Sequence, residues 1–446
     1  MVAANFATER QQVTWSPDET PRNSKFYTDI ELNGDEKNTG DSRNQSPIVP
    51  ASTSHTENTS HHDHNKHYDD GQPFPWRRHK LTVRQRLQHF TWAWYTLSMS
   101  TGGISLLIFA LPFQFPGLIA IGWIFYISNL IIFTCISAAM LLRFVFHKGT
   151  FSSSLRHERE GFFFPTFWLS VATLITSTQR YVIKPHDSNL LWGIQTVFWG
   201  YAICTFILAV GQYCFVFSAH NFGLGTMMPT WILPIFPIML TGTIASVIAE
   251  TQPEIGRIPI LVAGLTCQGL GLSVAFMMYS HMVGRLMSVG LPNREHRPGL
   301  FMCVGPPAFT VLALIGMAHS LPDNVVLEVD DNFLDVRDVR TTALIVGGFL
   351  WALSLWWFFI AAISVLISPP KFFHLGWWAM VFPNTGFCLA TISAAKQFDN
   401  QGLKILGTVM AAIVFIIYFV VLQSQIKAVW RQDILYPGRD EDFNDH

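Results

Sequence analysis

The chain has 446 residues; 50% of them are hydrophobic, only 13% are charged, and the net charge is −1. Soluble domains carry about twice that proportion of charge, and apolar runs of roughly 18 residues or more recur after Phe90. This composition excludes an ordinary soluble domain. Because the charges lie mainly in loops, the net charge says little about partners, and we expect no nucleic acid among them.

The first 80 residues differ in composition from the rest. They are rich in Ser, Thr, Asn, Asp, Pro and His and contain no apolar run. Such a segment cannot bury enough apolar surface to fold alone, so we predict a disordered cytoplasmic tail over residues 1–80. Four histidines between His61 and His67 resemble a metal-binding tract, but in a disordered tail we predict no specific metal site.

Residues 81–430 are predicted to form a transmembrane transport domain of ten helices, followed by a short cytoplasmic tail over residues 431–446. Lys and Arg are more than twice as frequent in the connections on the side of the two termini as on the opposite side. The positive-inside rule therefore places both termini of this multi-pass protein in the cytoplasm. The predicted spans lie at about 91–110, 117–142, 162–178, 190–217, 229–249, 258–279, 300–318, 341–367, 374–395 and 402–426.

The odd-numbered spans begin at intervals of about 70 residues, which indicates an internal repeat. Each odd span except the first contains proline, whereas the even spans have none in their interior. Proline breaks a helical hydrogen bond, and in lipid a broken helix belongs against protein or a water-filled cavity. The alternation predicts an all-α membrane protein of five helical hairpins in a quasi-fivefold arrangement around a central pore. General tolerance of proline in membrane helices is the alternative. The expected kinks are at Gly102, Gly103, Pro165, Pro234, Pro237, Pro306, Pro307 and Pro383.

Neutral polar side chains recur in the odd-numbered spans. Hydroxyl and amide groups there can replace part of the hydration shell of an anion, or they can form hydrogen bonds between helices, and the two roles remain open. The candidates for pore lining or substrate binding are Thr91, Ser98, Thr101, Thr166, Ser170, Thr243, Thr310, Asn384 and Thr385.

Cations collect at span ends, at Arg180, Lys184, Arg257 and Lys396. They are expected either to attract anions to the mouth of the path or to anchor the helices at the interface. Among carboxylates, only Glu250 is a candidate for a position within a span. This scarcity disfavours a proton relay through the protein, so any coupled proton would travel on the substrate or use histidines near the span ends, such as His89, His220 or His374.

Catalysis has no support in the sequence. No nucleophile–base pair, phosphate-cradling loop or zinc-ligand spacing is found. We therefore predict that the protein is not an enzyme and that it has no cofactor.

Five blocks of sequence occur together in a recognisable order. They are QRLQHFTWAW at 85–94 with MSTGG at 99–103, PTWILPIFP at 229–237, RPGLFMCVGPPAF at 297–309, FPNTGF at 382–387 and YPGRDED at 436–442. Over about residues 80–446 the chain resembles the fungal malic-acid transporters of the tellurite-resistance/dicarboxylate transporter family. Other members of that family are plant slow anion channels and fungal sulfite efflux pumps.

The resemblance implies transport of dicarboxylates such as malate and succinate across the plasma membrane, by a homo-oligomer (dimer or trimer) of ten-helix subunits. A small-anion channel or a sulfite efflux pump is the alternative. In the channel relatives a phenylalanine in a Trp-x-x-x-Phe pattern plugs the pore. Trp378 and Phe382 match that pattern, so the resemblance makes Phe382 the expected pore gate.

Overall fold

The computed structural model describes residues 81–184, 188–220, 223–323, 327–329 and 332–437. The predicted N-terminal tail and residues 438–446 of the C-terminal tail lie outside these residues. Within them the helices are α1 (Val83–Gln88), α2 (Tyr95–Ala110), α3 (Leu118–Phe146), α4 (Thr150–Arg156), α5 (Pro165–Tyr181), α6 (Ser188–Ala219), α7 (Phe236–Ile248), α8 (Glu254–Val289), α9 (Gly305–His319), α10 (Val336–Ile367), α11 (Phe382–Gln397) and α12 (Gln401–Arg431).

Nine helical segments within the described residues are long and apolar enough to cross a membrane, which confirms the multi-pass helical prediction for nine of the ten expected spans. The remaining one, expected near 374–395, consists of a 3₁₀ segment at Leu375–Met380 and α11, with a break at Val381. A two-stranded antiparallel hairpin, β1 (Leu327–Val329) and β2 (Asn332–Leu334), connects α9 to α10. These strands were not expected from the sequence, which predicts an all-α protein.

Four prolines, Pro165, Pro237, Pro306 and Pro383, lie where α-helices begin, whereas Pro259 lies inside α8, contrary to the expectation that no even span has an interior proline. Short 3₁₀ segments at Trp92–Trp94, Glu160–Phe163, Pro229–Ile235, Arg294–Val304 and Leu375–Met380 precede α2, α5, α7, α9 and α11. Except in α2, the first or second residue of the following α-helix is proline. The first N–H groups of a helix have no partner within it, so proline costs nothing there and its fixed φ suits the position. The break in each of these spans is therefore a change from 3₁₀-helix to α-helix at the junction.

Burial divides the spans into two alternating sets. In the segments that contain α2, α5, α7 and α9, between 67% and 100% of the most apolar stretch is buried, and α11 is buried from Phe382 to Ile392. In those of α3, α6, α8, α10 and α12, only 22% to 33% is buried. We call the first five the inner helices and the second five the outer helices. Because outer helices such as α12 are apolar on their exposed sides, those sides suit a lipid environment.

The inner helices contact one another in a closed order. Helix α2 packs on α5, α5 on α7, α7 on α9, α9 on α11, and α11 again on α2. Each outer helix packs against the inner helix that precedes it and also against the inner helix that follows.

One hydrogen bond joins each outer helix to the next inner helix along the chain, and the last of them, from α12 to α2, returns to the start. Without water to compete, such bonds between helices help to set their register. The five bonds join Tyr126 to Thr178 (2.9 Å), the Tyr201 hydroxyl to the Pro237 carbonyl (2.8 Å), Gln268 to Thr310 (2.8 Å), Trp351 to Thr391 (2.9 Å) and Tyr418 to Thr101 (3.1 Å).

A buried ion pair secures the start of α5 to α3. The side chains of Arg143 and Glu160 are 5% and 2% exposed, and Arg143 Nη2 donates to Glu160 Oε2 at 3.1 Å. The second guanidinium nitrogen, Nη1, donates to the other carboxylate oxygen and to the Phe90 carbonyl at 2.9 Å. Glu160 lies within the third span because that span begins two residues earlier than expected. Glu250 is thus one of several carboxylates within the spans, since the first turns of other spans contain Glu254, Glu295 and Asp338.

We predict that Glu160→Gln lowers the stability of the protein by about 3–5 kcal/mol, because it leaves the Arg143 charge buried without its counter-ion. Thermal unfolding of purified protein in detergent measures the loss. Asp323→Asn is the control: Asp323 also pairs with an arginine, Arg340, but is 87% exposed, so its loss should change stability by about 0–1 kcal/mol. Equal shifts in the two variants would contradict the prediction.

Candidate functional site

The starts of all five inner spans converge on one small cavity. Its volume is about 10 Å³, whereas a single water needs roughly 10–15 Å³ by the same kind of measure. A dicarboxylate cannot pass through it in this structure. The lining residues are Thr96, Met99, Thr166, Leu169, Leu233, Phe236, Met302, Ala379, Phe382 and Pro383.

Three phenylalanine rings from successive inner helices pack together beside this cavity: Phe236 and Phe382 line it, and Phe309 contacts both of them. The ring centroids of Phe309 and Phe382 are 5.2 Å apart and stacked. Phe236 lies edge-on to both, at 5.7 Å from Phe309 and 6.2 Å from Phe382. All three are at least 96% buried. Such contacts add about 0.5–1.5 kcal/mol each to the burial of the rings, so the three form one closed aromatic cluster.

The sequence places these rings through a recurring junction. Phe236 and Phe382 each precede the proline that begins an α-helix, as Phe164 does in α5. At the matching position of α9 the residue is Gly305, where a Cβ atom would come within 2.6 Å of Phe236 Cζ. Gly305 at the start of α9 thus leaves room for the ring of Phe236 at the start of α7.

Gly102 and Gly103 lie inside α2, which is not interrupted at either residue. Instead of kinking the helix, they are positions where neighbouring helices come close. A Cβ atom on Gly102 would lie 2.4 Å from Thr173 Oγ1 in α5, and one on Gly103 would lie 2.6 Å from Thr385 Oγ1 in α11. Helices approach this closely only where small residues face each other. The two glycines therefore allow α2 to fit between its two inner neighbours.

The predicted polar candidates are brought together only in part. Of them, Thr166 alone lines the central cavity, beside the predicted gate Phe382 and Pro383. The Thr166 hydroxyl is within 2.6 Å of the Phe163 carbonyl and 2.9 Å of the Trp92 carbonyl.

Of the residues expected to kink helices, Pro234 lies within the 3₁₀ segment before α7.

Several other candidates form hydrogen bonds between or within helices. This corresponds to the second of the two roles that the sequence left open for them. Ser98 donates to Asn129 in α3 (2.8 Å), and Ser170 is 2.9 Å from the Tyr95 carbonyl. Thr385 donates to the Phe382 carbonyl at 2.7 Å. Thr101 and Thr310 form the bonds between outer and inner helices given above, and Thr91 is buried at the start of the first 3₁₀ segment.

A smaller group of buried polar atoms has no partner in the described part of the chain. The predicted candidates among them are the Thr243 hydroxyl and the Asn384 side-chain oxygen. Three further hydroxyls belong to this group, those of Ser100 in α2, Ser177 in α5 and Thr241 in α7. Since buried polar groups are usually paired, these hydroxyls are available to donate to a ligand.

The predicted cations fall into two groups. Arg180 and Lys396 are both exposed at the ends of inner helices and near enough for their charges to interact, and Arg180 also interacts with the charge of Glu250. Arg257 instead donates to the carbonyls of Glu250 and Gln252, both at 3.1 Å, so it holds a turn.

Two lysines complete the set of cations near these ends. Lys184 is exposed beyond the end of α5. Lys404 bonds Asp399 in the turn between α11 and α12, and it holds the pKa of that carboxyl below its ordinary value. Among the predicted cations, Arg180, Lys184 and Lys396 are thus exposed without a described ion pair, and Arg180 and Lys396 are near enough for their charges to interact.

Sequence reasoning missed Phe236, Phe309 and Met302 at the centre. A signal for Phe236 was present, because the Phe-Pro dipeptide recurs at 164–165, 236–237 and 382–383. No comparable signal marks Phe309 or Met302, whose positions depend on how neighbouring hairpins pack.

Comparison with known proteins supports the resemblance. A family model described as "Voltage-dependent anion channel" (SLAC1) matches residues 89–426. The chain is 35% identical over 365 residues to a malic acid transport protein of Schizosaccharomyces pombe, covering 81% of this chain and 83% of that protein. It is 25% identical over 339 residues to the sulfite efflux pump SSU1 of Arthroderma benhamiae, covering 74% and 88%.

A shorter match reaches a plant channel. The chain is 27% identical over 171 residues to the S-type anion channel SLAH3 of Arabidopsis thaliana, covering 35% of this chain and 27% of that protein. The family model, by contrast, spans most of the chain, from the residues before α2 to the last turns of α12. The chain belongs to the voltage-dependent anion channel (SLAC1) family.

Proposed function

We propose that this protein carries four-carbon dicarboxylates such as malate and succinate across the plasma membrane, along an axis surrounded by the five inner helices. The observation that carries the proposal is the closed order of contacts among α2, α5, α7, α9 and α11 around one constricted cavity. A scaffold or receptor would have no reason to place five interrupted, buried spans around a common centre.

The proposed path requires ten spans in five hairpins. Nine are supported by length and composition, and the tenth is formed by the 3₁₀ segment Leu375–Met380 together with α11. Its interruption at Val381 matches the change of helix type that precedes the other inner helices. Because interrupted backbone at membrane depth is tolerated only beside protein or a cavity, such a span belongs inside the ring.

Phe382 is the proposed gate. Its ring is 1% exposed, lines the central cavity and packs on Phe236 and Phe309. A cavity of about 10 Å³ leaves no room for an anion until that cluster moves. The partnerless hydroxyls of Ser100, Ser177 and Thr243 are the proposed donors to the anion elsewhere along the path.

Malate is the proposed substrate because the S. pombe relative, at 35% identity over most of both chains, is named a malic acid transport protein. Each negative charge on the anion is driven outward by roughly 2.3 kcal/mol per 100 mV of inside-negative potential. Uptake would therefore need protons, most simply on the substrate, whose carboxyl groups titrate near pH 4 by analogy with side chains. Glu160 is a poor relay because it is paired with Arg143.

The proposed orientation places both termini in the cytoplasm, following the excess of Lys and Arg on that side. Arg180 and Lys396 then lie at the external mouth, where they attract anions. Assembly as a homo-oligomer, a dimer or trimer, follows from the family resemblance.

Purified protein in liposomes should take up labelled malate, and more rapidly when the external pH falls from 7 to 4.5, because the singly charged and neutral forms then increase. Empty liposomes and liposomes in which external and internal pH are both 7 are the controls. The same preparation is tested with labelled sulfite and chloride.

Two outcomes would overturn the proposed substrate or function. Flux of sulfite or chloride without malate flux at any pH would assign a smaller anion. An absence of flux for all three, in correctly folded protein that also carries Phe382→Ala, would reject transport itself.

Phe382→Ala should raise malate flux several-fold, because it removes one of the two phenylalanine rings that line the cavity. Phe387→Ala is the matched control: this residue lies in the same helix and is also 1% exposed, but its ring packs on Trp351 and Phe358 of α10. Unchanged flux in a monodisperse Phe382→Ala protein, or an equal rise in both variants, would remove Phe382 as the gate.

Arg180→Gln should reduce malate flux at low substrate concentration by about five-fold, since a charge at roughly 8 Å in a partly aqueous mouth contributes on the order of 1 kcal/mol. Lys404→Gln is the control because Lys404 is already paired with Asp399 and should change the flux little. If both variants retain wild-type flux, Arg180 serves only as an interfacial anchor.

A further inference from the structure

A groove away from the central cavity lies between α12 and the start of α2. Its volume is about 660 Å³. The walls are mainly apolar and partly open: Ile426 is 59% exposed and Trp430 is 87% exposed. The lining residues are Arg86, Trp94, Leu97, Leu422, Gln425, Ile426, Val429, Trp430 and Gln432.

Three nitrogen donors in the lining of this groove have no hydrogen-bond partner in the described part of the chain. They are Arg86 Nε, Trp94 Nε1 and Gln425 Nε2, and all three atoms are buried. Gln425 is only 2% exposed and Trp94 only 8%. Since buried N–H groups are normally paired, three in one groove indicate a missing acceptor.

The orientation of the Gln425 amide is determined by its neighbour. The indole N–H of Trp378 can only donate, and it lies 2.9 Å from Gln425 Oε1. The oxygen is therefore the atom that faces Trp378, and the NH₂ group is left for the groove. Arg86 is held similarly, because its Nη2 donates to the Val429 carbonyl at 2.8 Å.

The lining residues of the groove carry positive charge and no negative charge. Arg86 is the one charged residue in the lining, and no carboxylate is among the lining residues. An occupant must therefore bring acceptor oxygens and a negative charge for the three donors. It must also bring hydrocarbon to cover Leu97, Leu422 and Ile426.

We propose that this groove binds an anionic phospholipid, with its phosphate at Arg86, Trp94 and Gln425 and an acyl chain along α12. A free anion would satisfy the donors but leave the apolar walls uncovered. The exposed Trp430 is typical of the membrane–water interface, where a headgroup lies. The proposal does not depend on which anion the protein transports.

The groove is also connected to the central cavity by a short route. Gln425 bonds Trp378, which lies in the 3₁₀ segment Leu375–Met380, and Phe382 begins the following helix. A lipid that holds the Gln425 amide therefore supports the segment that precedes the aromatic cluster.

Native mass spectrometry of the full-length protein tests the proposal, with phosphatidic acid compared with phosphatidylcholine of the same acyl chains. We expect wild type to prefer phosphatidic acid by roughly ten-fold, because its headgroup carries a net negative charge beside Arg86, whereas the choline ammonium of phosphatidylcholine offsets the charge of its phosphate. Arg86→Gln and Trp94→Phe should each remove most of that preference. Trp94→Phe keeps a ring to stack on Phe90, so it remains informative if Arg86→Gln fails to fold.

Arg84→Gln is the matched control. Arg84 is in the same helix, is exposed, and lies over the Phe146 ring, away from the groove. It should leave the preference for phosphatidic acid unchanged.

Three results would overturn the proposal. The first is a wild-type preference in both groove variants. The second is displacement of phosphatidic acid by inorganic phosphate at equal concentration, which would assign a free anion to the site. The third is dissociation of an oligomer in Arg86→Gln or Trp94→Phe, which would assign the groove to a second copy of the chain.

Discussion

The architecture depends on hydrogen bonds that each outer helix makes with the next inner helix along the chain. The bond between Tyr418 and Thr101 is decisive because it joins the last helix, α12, to the first inner helix, α2. In a bilayer a displaced hydroxyl finds no water to replace its partner, so even a modest bond between helices selects one register. The other four bonds repeat the same connection around the molecule, and the inner helices consequently contact one another in a closed order.

Closure of that order brings the starts of the inner helices to a common centre, and the local sequence determines what meets there. Prolines begin four of the inner helices, where they cost no hydrogen bond. The residue before proline is phenylalanine in three of them and Gly305 in the fourth. The rings of Phe236 and Phe382 can therefore pack beside Phe309, and the same contacts that stabilise the core close the proposed path.

Charge is distributed so that the centre remains neutral. The buried pair of Arg143 and Glu160 is internally compensated and ties α3 to the start of α5, while Arg180 and Lys396 are exposed at the other ends of inner helices. Arg86, beside α12, faces an apolar groove in which three nitrogen donors have no partner within the part of the chain that the structure describes. The proposed ion attraction, the buried ion pair and the proposed lipid contact thus involve different cations, so the proposed permeation path is separate from the proposed lipid site.

The sequence by itself determined the class of fold and the alternation of its helices, because apolar length, proline placement and the distribution of charge are local properties. It also marked Phe382, through a pattern of neighbouring residues. Only the tertiary structure decided which polar groups pair: Ser98, Thr101 and Thr310 bond other helices, whereas Ser100 and Ser177 have no partner among the described residues. Those outcomes depend on which faces of distant helices meet, and contacts between residues separated by as many as 317 positions, as in the Thr101–Tyr418 bond, have no signature in a single sequence.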